Sequence, residues 1–135
     1  MTSVYLDSCM IIGLIEGDAT QRRVLKNRLR DQLVFSSELT RMETRLLPIR
    51  NDDKVCLRKF DRFFELCEMI PLDCAVFERA TMLRARNGIQ TPDALHLAAA
   101  IEGGCQEFWT NDKRLRVVAH NFLTILDWDA LGAKQ

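Results

Sequence analysis

No stretch of the 135-residue sequence approaches the roughly 18 consecutive apolar residues that a membrane-spanning helix requires. The chain also has no low-complexity segment, no linker rich in proline, glycine or serine, and no detectable internal repeat. Its first strand-like segment begins at residue 4, which leaves no room before it for a secretory signal peptide. We therefore expect a single domain, residues 1–135, in the cytoplasm.

The cysteines are odd in number and include no CxxC pair, so zinc-site spacing is absent and a disulfide framework is not expected. The sequence predicts that they serve as small buried apolar side chains in a reducing compartment. The five cysteines are Cys9, Cys56, Cys67, Cys74 and Cys105.

Several familiar catalytic signatures are also missing. The chain has no P-loop and no GxGxxG segment, so a nucleotide cofactor is not indicated. Ser8 and Ser36 lack the histidine and acid pattern of nucleophilic catalysis. His96 lies in an apolar helix, where packing in the core is the more common role, and His120 lies in a predicted loop without an identifiable partner.

Positive and negative charges cancel, with 19 Lys and Arg against 19 Asp and Glu, so net charge neither requires nor excludes a nucleic acid partner. Their distribution is uneven, because residues 20–50 contain eight basic and three acidic side chains, a net charge of +5. A basic flank beside an acidic pocket suits an enzyme that cuts a polyanion. The alternative is a solvated helix face, which is the more common origin of any single arginine there.

Short apolar segments alternate with segments of helical periodicity along the whole chain. The predicted strands cover residues 4–6, 33–35, 69–72, 107–110 and 122–126, and the predicted helices cover residues 10–15, 20–31, 38–47, 53–68, 73–87 and 91–102. This alternation predicts a parallel sheet covered on both faces, and strands without polar alternation agree with it. The expected fold class is α/β: a three-layer α/β/α sandwich with a mainly parallel central sheet of about five strands.

Three hydroxyl side chains are expected to cap the helices that follow them, namely Ser8, Ser37 and Thr91. Pro92 lies in the first turn after Thr91, where proline is favoured because the missing N–H would have no helical partner. Pro48 is expected to lie close to the end of its helix.

Four acidic residues fall where strand ends and helix starts of a parallel sheet would converge: Asp7, Glu43, Asp93 and Asp112. Asp7 and Asp112 follow predicted strands, and Asp93 opens a helix. Glu43 lies within the helical stripe that we expect to face inward. That stripe consists of Leu39, Met42, Leu46 and Leu47.

Each acid also has an ordinary structural explanation. Asp7 and Asp93 could stabilise helix starts, and Asp112 could form a turn with Asn111. Glu43 is harder to explain in this way, because a buried carboxylate needs a partner or a metal. Arg41 and Arg45 lie on the opposite side of the predicted helix, so neither is its local partner.

Taken together, the acids would form a pocket to which no local basic residue is assigned. Two unit charges about 4 Å apart repel by about 4 kcal/mol at an effective dielectric constant near 20, so protons or cations must neutralise such a cluster. Ligands that are all oxygen favour Mg²⁺ or Mn²⁺, whereas zinc prefers cysteine or histidine. Divalent ions held by carboxylates can activate water and stabilise charge on a phosphodiester, which is the chemistry of a metal-dependent nuclease.

The segments that carry these acids resemble the motifs of PIN domains, and in particular those of VapC-type toxin ribonucleases. They are residues 4–8, 37–43, 91–98 and 110–115. The match spans nearly the whole chain, and the order and spacing of the acids fit the family.

The resemblance implies an endoribonuclease that uses Mg²⁺ or Mn²⁺, with Asp7, Glu43, Asp93 and Asp112 as its catalytic and metal-binding quartet. Thr110 and Asn111 match the family's polar neighbours of the last acid and would support it. The resemblance also implies a homodimer and the toxin role of a type II toxin-antitoxin pair. The cognate antitoxin would inhibit by placing its C-terminal segment in the active-site groove.

Two other functions remain as alternatives. A non-catalytic interaction module could use the same PIN-like scaffold, although the complete set of acids argues against it. A phosphate-signalling receiver would also have acids at strand ends and a late lysine, here Lys113. That function predicts an aspartate after the central strand, but the segment 33–35 is followed by Ser36 and Ser37.

Overall fold

A computed structural model describes residues 1–119 and 121–132, so the prediction for His120 lies outside the described residues. Five strands form one sheet in the order β3-β2-β1-β4-β5, and all the neighbouring strands are parallel. The strands are β1 (Ser3–Leu6), β2 (Leu33–Ser36), β3 (Glu68–Met69), β4 (Glu107–Trp109) and β5 (Thr124–Leu126). The predicted parallel α/β architecture is confirmed.

Helices connect the strands and cover both faces of the sheet. They are α1 (Ser8–Glu16), α2 (Ala19–Leu29), α3 (Glu38–Arg50), α4 (Lys54–Glu65), α5 (Cys74–Asn87), α6 (Thr91–Glu102), α7 (Arg114–Ala119) and α8 (Trp128–Leu131). The short helices α7 and α8 were not predicted from the sequence. None of the helices in the described part of the chain is long and apolar enough to cross a membrane.

The central strand β1 divides the core into two clusters. Val4 and Leu6 belong to the cluster beneath α1, α2 and α4, together with Trp109. Tyr5 belongs to the cluster beneath α5 and α6, together with Phe108. Successive strand residues point to opposite faces of a sheet, so the unbroken apolar run in β1 is explained by burial on both sides.

The order of the strands corrects one argument made from the sequence. The central strand is β1 rather than β2, and Asp7 follows it directly. The serines after β2 therefore do not exclude a phosphate-signalling receiver, because that strand is not the central one. A different observation must decide between a metal-dependent nuclease and a phosphate-signalling receiver.

Two of the three predicted caps were wrong. The N-cap of α1 is Asp7, whose Oδ1 accepts a hydrogen bond from the Met10 N–H at 3.1 Å, and Ser8 lies inside the helix. The N-cap of α6 is Gln90 rather than Thr91, although Pro92 does lie in the first turn. Ser37 occupies the N-cap position of α3, but its hydroxyl makes no capping hydrogen bond.

The predicted inward stripe of α3 was wrong except at Leu39, which packs against the core beneath α5 and α6. The buried residues of this helix are Thr40, Thr44 and Pro48, whereas Met42 and Leu46 are 61% and 54% exposed. The inward face is polar because the Thr40 hydroxyl bonds to side chains from β1 and α6. The helix also continues to Arg50, beyond its predicted end.

Two further details differ from expectation. Strand β3 ends at Met69, and the last ladder bond is donated by the Ile70 N–H to the Ser36 carbonyl, so the segment does not reach residue 72. Cys9 and Cys74 are exposed rather than buried. Both lie in the first turn of a helix.

Candidate active site

The acids gather at the edge of the sheet where β1 and β4 end. The Asp7 N–H donates to the Trp109 carbonyl at 3.2 Å, which holds the ends of these two strands side by side. Asp112 follows β4, and Asp93 lies in the first turn of α6. Arg114 Nη2 lies 3.8 Å from Asp93 and 2.7 Å from Asp112, and the negative charges of Asp112 and Asp7 raise the pKa of Asp93, so the three carboxylates lie at the same edge.

Asp7 is the most enclosed of the acids. Its Oδ1 accepts the thiol proton of Cys9 at 3.0 Å as well as the Met10 N–H. Burial raises the pKa of Asp7, against hydrogen bonds from Cys9, Thr110 and Met10 that lower it. Its environment therefore disfavours the charged form, as expected for a carboxylate partly removed from water.

Thr110 and Asn111 occupy different positions beside these acids. Thr110 is fully buried, and its hydroxyl bonds to Asp7 while its oxygen accepts the Asp112 N–H at 3.1 Å. The side chain thus connects two acids from neighbouring strands. Asn111 is exposed, and its N–H points to the Cys9 sulphur, so a supporting role for its side chain stays a prediction.

Glu43 reaches the same edge from α3 through two contacts. Ser8, next to Asp7, donates its hydroxyl to Glu43 Oε1 at 2.5 Å. His96, one turn beyond Asp93, lies 2.7 Å from the same oxygen through Nε2. Burial alone would raise the pKa of Glu43, but the bonds from His96 and Ser8 outweigh it and hold that pKa below its usual range.

Arg114 corrects the expectation that no basic residue belongs to this pocket. Its Nε and Nη2 donate to both oxygens of Asp112, at 3.0 and 2.7 Å. Nη2 also lies 3.8 Å from Asp93. The hydrogen bonds from Arg114 lower the pKa of Asp112, whereas burial and the charge of Asp112 raise the pKa of Asp93.

Arg41 and Arg45 pair with acids other than Glu43, as expected. Arg41 lies 3.4 Å from Glu38, and Arg45 lies 2.7 Å from Asp61. The partner of Glu43 is instead His96, which was predicted to be packed core. It is indeed 95% buried, with 5% exposure, but its contact with an acid 53 positions away was missed.

The donor set of this edge suits a hard divalent cation, because carboxylate oxygens are the ligands that Mg²⁺ and Mn²⁺ prefer. Within residues 1–119 and 121–132, no three acidic, histidine or cysteine side chains converge closely enough to hold an ion as they stand. Arg114 engages both oxygens of Asp112, and its side chain is 73% exposed. A cation at Asp112 would compete with this arginine for the same two oxygens.

Comparison with known proteins identifies the family from the sequence and finds solved structures with a similar fold. The sequence profile of the PIN domain matches residues 4–121. No curated protein sequence matches the chain significantly. Among solved structures, VapBC2 from Rickettsia felis, bound to a DNA fragment from its promoter, has a TM-score of 0.78 at 17% identity, over 95% of this chain and 100% of that chain.

Two other structures are similar. FitAcB from Neisseria gonorrhoeae has a TM-score of 0.74 at 17% identity, over 91% of this chain and 96% of that one. VapC20 from Mycobacterium tuberculosis, described as a Sarcin-Ricin loop cleaving toxin, has a TM-score of 0.68 at 16% identity, over 84% and 94%. The profile match covers most of the sequence, and the chain therefore belongs to the PIN-domain family.

Proposed function

We propose that this chain is a metal-dependent endoribonuclease that hydrolyses RNA phosphodiester bonds and serves as the toxin of a type II toxin-antitoxin pair. The observation that carries the proposal is the meeting of Asp7, Asp93 and Asp112 at one sheet edge, with Glu43 linked to it through Ser8 and His96. Family membership supports the reaction class, since PIN-domain proteins are generally nucleases. It also favours this function over a phosphate-signalling receiver.

Asp7, Glu43, Asp93 and Asp112 would hold Mg²⁺ or Mn²⁺, and PIN-domain nucleases generally depend on a divalent metal. Such an ion activates water and stabilises the charge that develops on a phosphodiester. The chain's own contribution is to hold the acids in place. Thr110 connects Asp7 to Asp112, and His96 and Ser8 hold Glu43.

The first test is the metal dependence of RNA cleavage. Purified protein is incubated with total bacterial RNA and with unstructured RNA oligonucleotides, in chelator and then in millimolar Mg²⁺ or Mn²⁺. We expect endonucleolytic fragments only with metal, and no fragments from a Glu43→Gln control. Fragments produced equally well in chelator, or no cleavage of any RNA with either metal, would contradict the proposal and favour a non-catalytic interaction module.

We further propose that an antitoxin inhibits the enzyme by covering the acidic edge and inserting a basic side chain. A toxin-antitoxin complex from Klebsiella pneumoniae has a similar fold, with a TM-score of 0.69 at 19% identity, and supports this proposal. The fork formed by Arg114 on Asp112 illustrates how well a guanidinium pairs with these carboxylates. A gene for a small DNA-binding protein immediately upstream would identify the candidate.

The antitoxin proposal is tested with that protein in purified form. We expect it to copurify with this chain and to abolish RNA cleavage at a one-to-one ratio. Cleavage rates that stay unchanged at stoichiometric excess of the partner would refute this mode of inhibition.

The homodimer is proposed from the exposed apolar side chains of α3. Four large apolar side chains of this helix are more than half exposed, and exposed apolar surface is a feature of protein interaction sites. They are Met42 at 61%, Leu46 at 54%, Leu47 at 58% and Ile49 at 56%. A second copy of the chain would cover them.

Light scattering after size exclusion measures this directly. We expect the wild type to elute as a dimer and a Leu46→Lys, Leu47→Lys variant as a folded monomer. A matched control, Val117→Lys, changes an apolar residue that is 75% exposed on α7 and should leave the dimer intact. A wild type that is monomeric at high micromolar concentration would refute the proposal.

A further inference from the structure

His96 and Tyr5 form a buried connection that the quartet of acids alone does not account for. The His96 ring uses Nε2 toward Glu43 Oε1 at 2.7 Å and Nδ1 toward the Tyr5 hydroxyl at 2.8 Å. The same hydroxyl lies 2.8 Å from Ser37 and 3.1 Å from Thr40. This chain of contacts joins β1, α3 and α6, which are the elements that place Asp7, Glu43 and Asp93.

We propose that His96 is a positioning residue for the reaction: held by Tyr5, it fixes the Glu43 carboxylate so that its oxygen Oε2 stays free for a divalent cation. The inference rests on the proposed nuclease function and concerns how one ligand is oriented. His96 acts through Glu43 and need not contact RNA or metal.

The contacts of Glu43 are divided unevenly between its two oxygens. Both donors, Ser8 Oγ and His96 Nε2, converge on Oε1. Among the described residues, none donates a hydrogen bond to Oε2. Because two donors hold the flexible Glu43 side chain, it has already lost rotamer freedom in the metal-free protein. Metal binding therefore does not have to include that loss of conformational entropy. Hydrogen bonds to ligand side chains orient them in the same way at known metal sites.

Tyr5 holds the orientation of the His96 ring through the contact at Nδ1. A neutral histidine that donates from Nε2 must accept at Nδ1, so the Tyr5 hydroxyl donates to it. The Tyr5 ring is itself stacked on Phe108, with centroids 5.2 Å apart, so the donor cannot swing away.

The burial of these groups favours orientation over simple packing. Tyr5, Ser37 and Thr40 are 0% exposed and His96 is 5% exposed. An apolar core would avoid the cost of removing four polar side chains from water. Buried polar networks that are fully satisfied fix one arrangement of their members, and this one ends on a candidate metal ligand.

The test distinguishes the contact of His96 Nε2 with Glu43 from the contact of His96 Nδ1 with Tyr5. In a His96→Gln variant the amide group can reach the position of Nε2 and still donate to Glu43. In His96→Asn the shorter side chain matches only Nδ1, so the bond to Glu43 is lost. Mn²⁺ affinity is measured by calorimetry on the metal-free proteins, alongside single-turnover cleavage.

We expect His96→Gln, which keeps the bond to Glu43 but loses the contact with Tyr5, to bind Mn²⁺ about threefold more weakly than wild type. His96→Asn should bind Mn²⁺ about tenfold or more weakly, the range found for residues that orient metal ligands. In a Glu43→Gln background, His96→Asn should have no further effect on Mn²⁺ affinity. Equal affinities for the two His96 variants, or a full additional loss in the Glu43→Gln background, would overturn the inference.

Tyr5→Phe covers the case in which both His96 variants fail to fold, because it removes one hydroxyl and keeps the stacked ring. Its Mn²⁺ affinity should fall at least threefold, and an unchanged affinity would overturn the inference. In the wild type, long-range ¹H–¹⁵N spectra should show a proton on His96 Nε2, the nitrogen that faces Glu43, and an Nε2 without a proton would also overturn the inference. If the wild type binds Mn²⁺ and the His96 and Tyr5 variants bind it equally well, only this inference is refuted. If the wild type neither binds Mn²⁺ nor cleaves RNA, the proposed function and the inference are both refuted.

Discussion

Asp7 is an acid whose charge opposes folding, and replacing it should make the metal-free protein more stable. Burial raises its pKa despite the hydrogen bonds from Cys9, Thr110 and Met10. An acid with a raised folded pKa contributes stability that is fully present below its unfolded pKa and is lost as pH rises through the folded value. That contribution decreases as pH rises above the unfolded pKa, so Asp7→Asn should be more stable than wild type at pH 7.

The size of the gain follows from the contacts of the carboxylate. Removing a carboxylate from water costs several kcal/mol after relaxation. Hydrogen bonds to the charged group offset this by about 1.5 kcal/mol each. Asparagine caps a helix as well as aspartate does, so the bond from the Met10 N–H should survive. The net gain should be about 1 kcal/mol, or about 4 °C in melting temperature for a chain of this length.

Thermal and urea melts in chelator measure the gain across pH. The advantage of Asp7→Asn should shrink as pH falls toward 3.8, the ordinary pKa of aspartate, because the wild-type acid is then increasingly protonated. Asp112→Asn is the matched control, and it should lower the stability of the metal-free protein where Asp7→Asn raises it. Arg114 lowers the pKa of Asp112, so that acid contributes stability above its unfolded pKa and loses it as pH falls through the folded value.

An Asp7→Asn protein that is less stable than wild type in chelator at pH 7 would refute this reasoning. Asp7 would then be a structural helix cap whose charge is well accommodated. The same variant should lose RNA cleavage, and a more stable but inactive protein is the expected result when function opposes stability.

Two further predictions concern the metal. Mn²⁺ should stabilise the wild type by an amount that grows with the logarithm of its concentration, about 2.7 kcal/mol at a hundredfold excess over its Kd, and Asp93→Asn should weaken this response. Identical wild-type melts in chelator and in millimolar Mn²⁺ would show that the acids bind no ion. Arg114→Gln should lower the Mn²⁺ concentration for half-saturation, because a guanidinium no longer occupies both oxygens of Asp112. Lys113→Gln removes the same charge one residue away, and an equal effect in calorimetry would attribute the change to net charge alone.

The fold was largely predictable because its strands are buried on both faces. The apolar run in β1 has no polar alternation, and it lies at the centre of the parallel sheet. The inward face of α3 could not be predicted in the same way. Periodicity identifies apolar stripes, but Thr40 and Thr44 are buried there. Thr40 is stabilised by Tyr5, which is distant in sequence, so no local pattern marks it.

The site was predictable in part, for the same physical reason. Asp7, Asp93 and Asp112 lie at strand ends and a helix start, and parallel topology brings such positions to one edge. Arg114 lies two residues after Asp112 and could have been noticed as a local partner. His96 could not, because its contact with Glu43 depends on how α3 packs beside α6. Single-sequence patterns carry no information on that packing.

The most direct test of the central claim is single-turnover RNA cleavage by four neutralised variants in saturating Mn²⁺. The variants are Asp7→Asn, Glu43→Gln, Asp93→Asn and Asp112→Asn, each checked for native circular dichroism. If the four acids place one catalytic ion, each variant should lose about 10²-fold or more in rate while remaining folded, because every ligand helps stabilise the transition state. Near-normal cleavage by any two of the four would contradict the claim that they form one site.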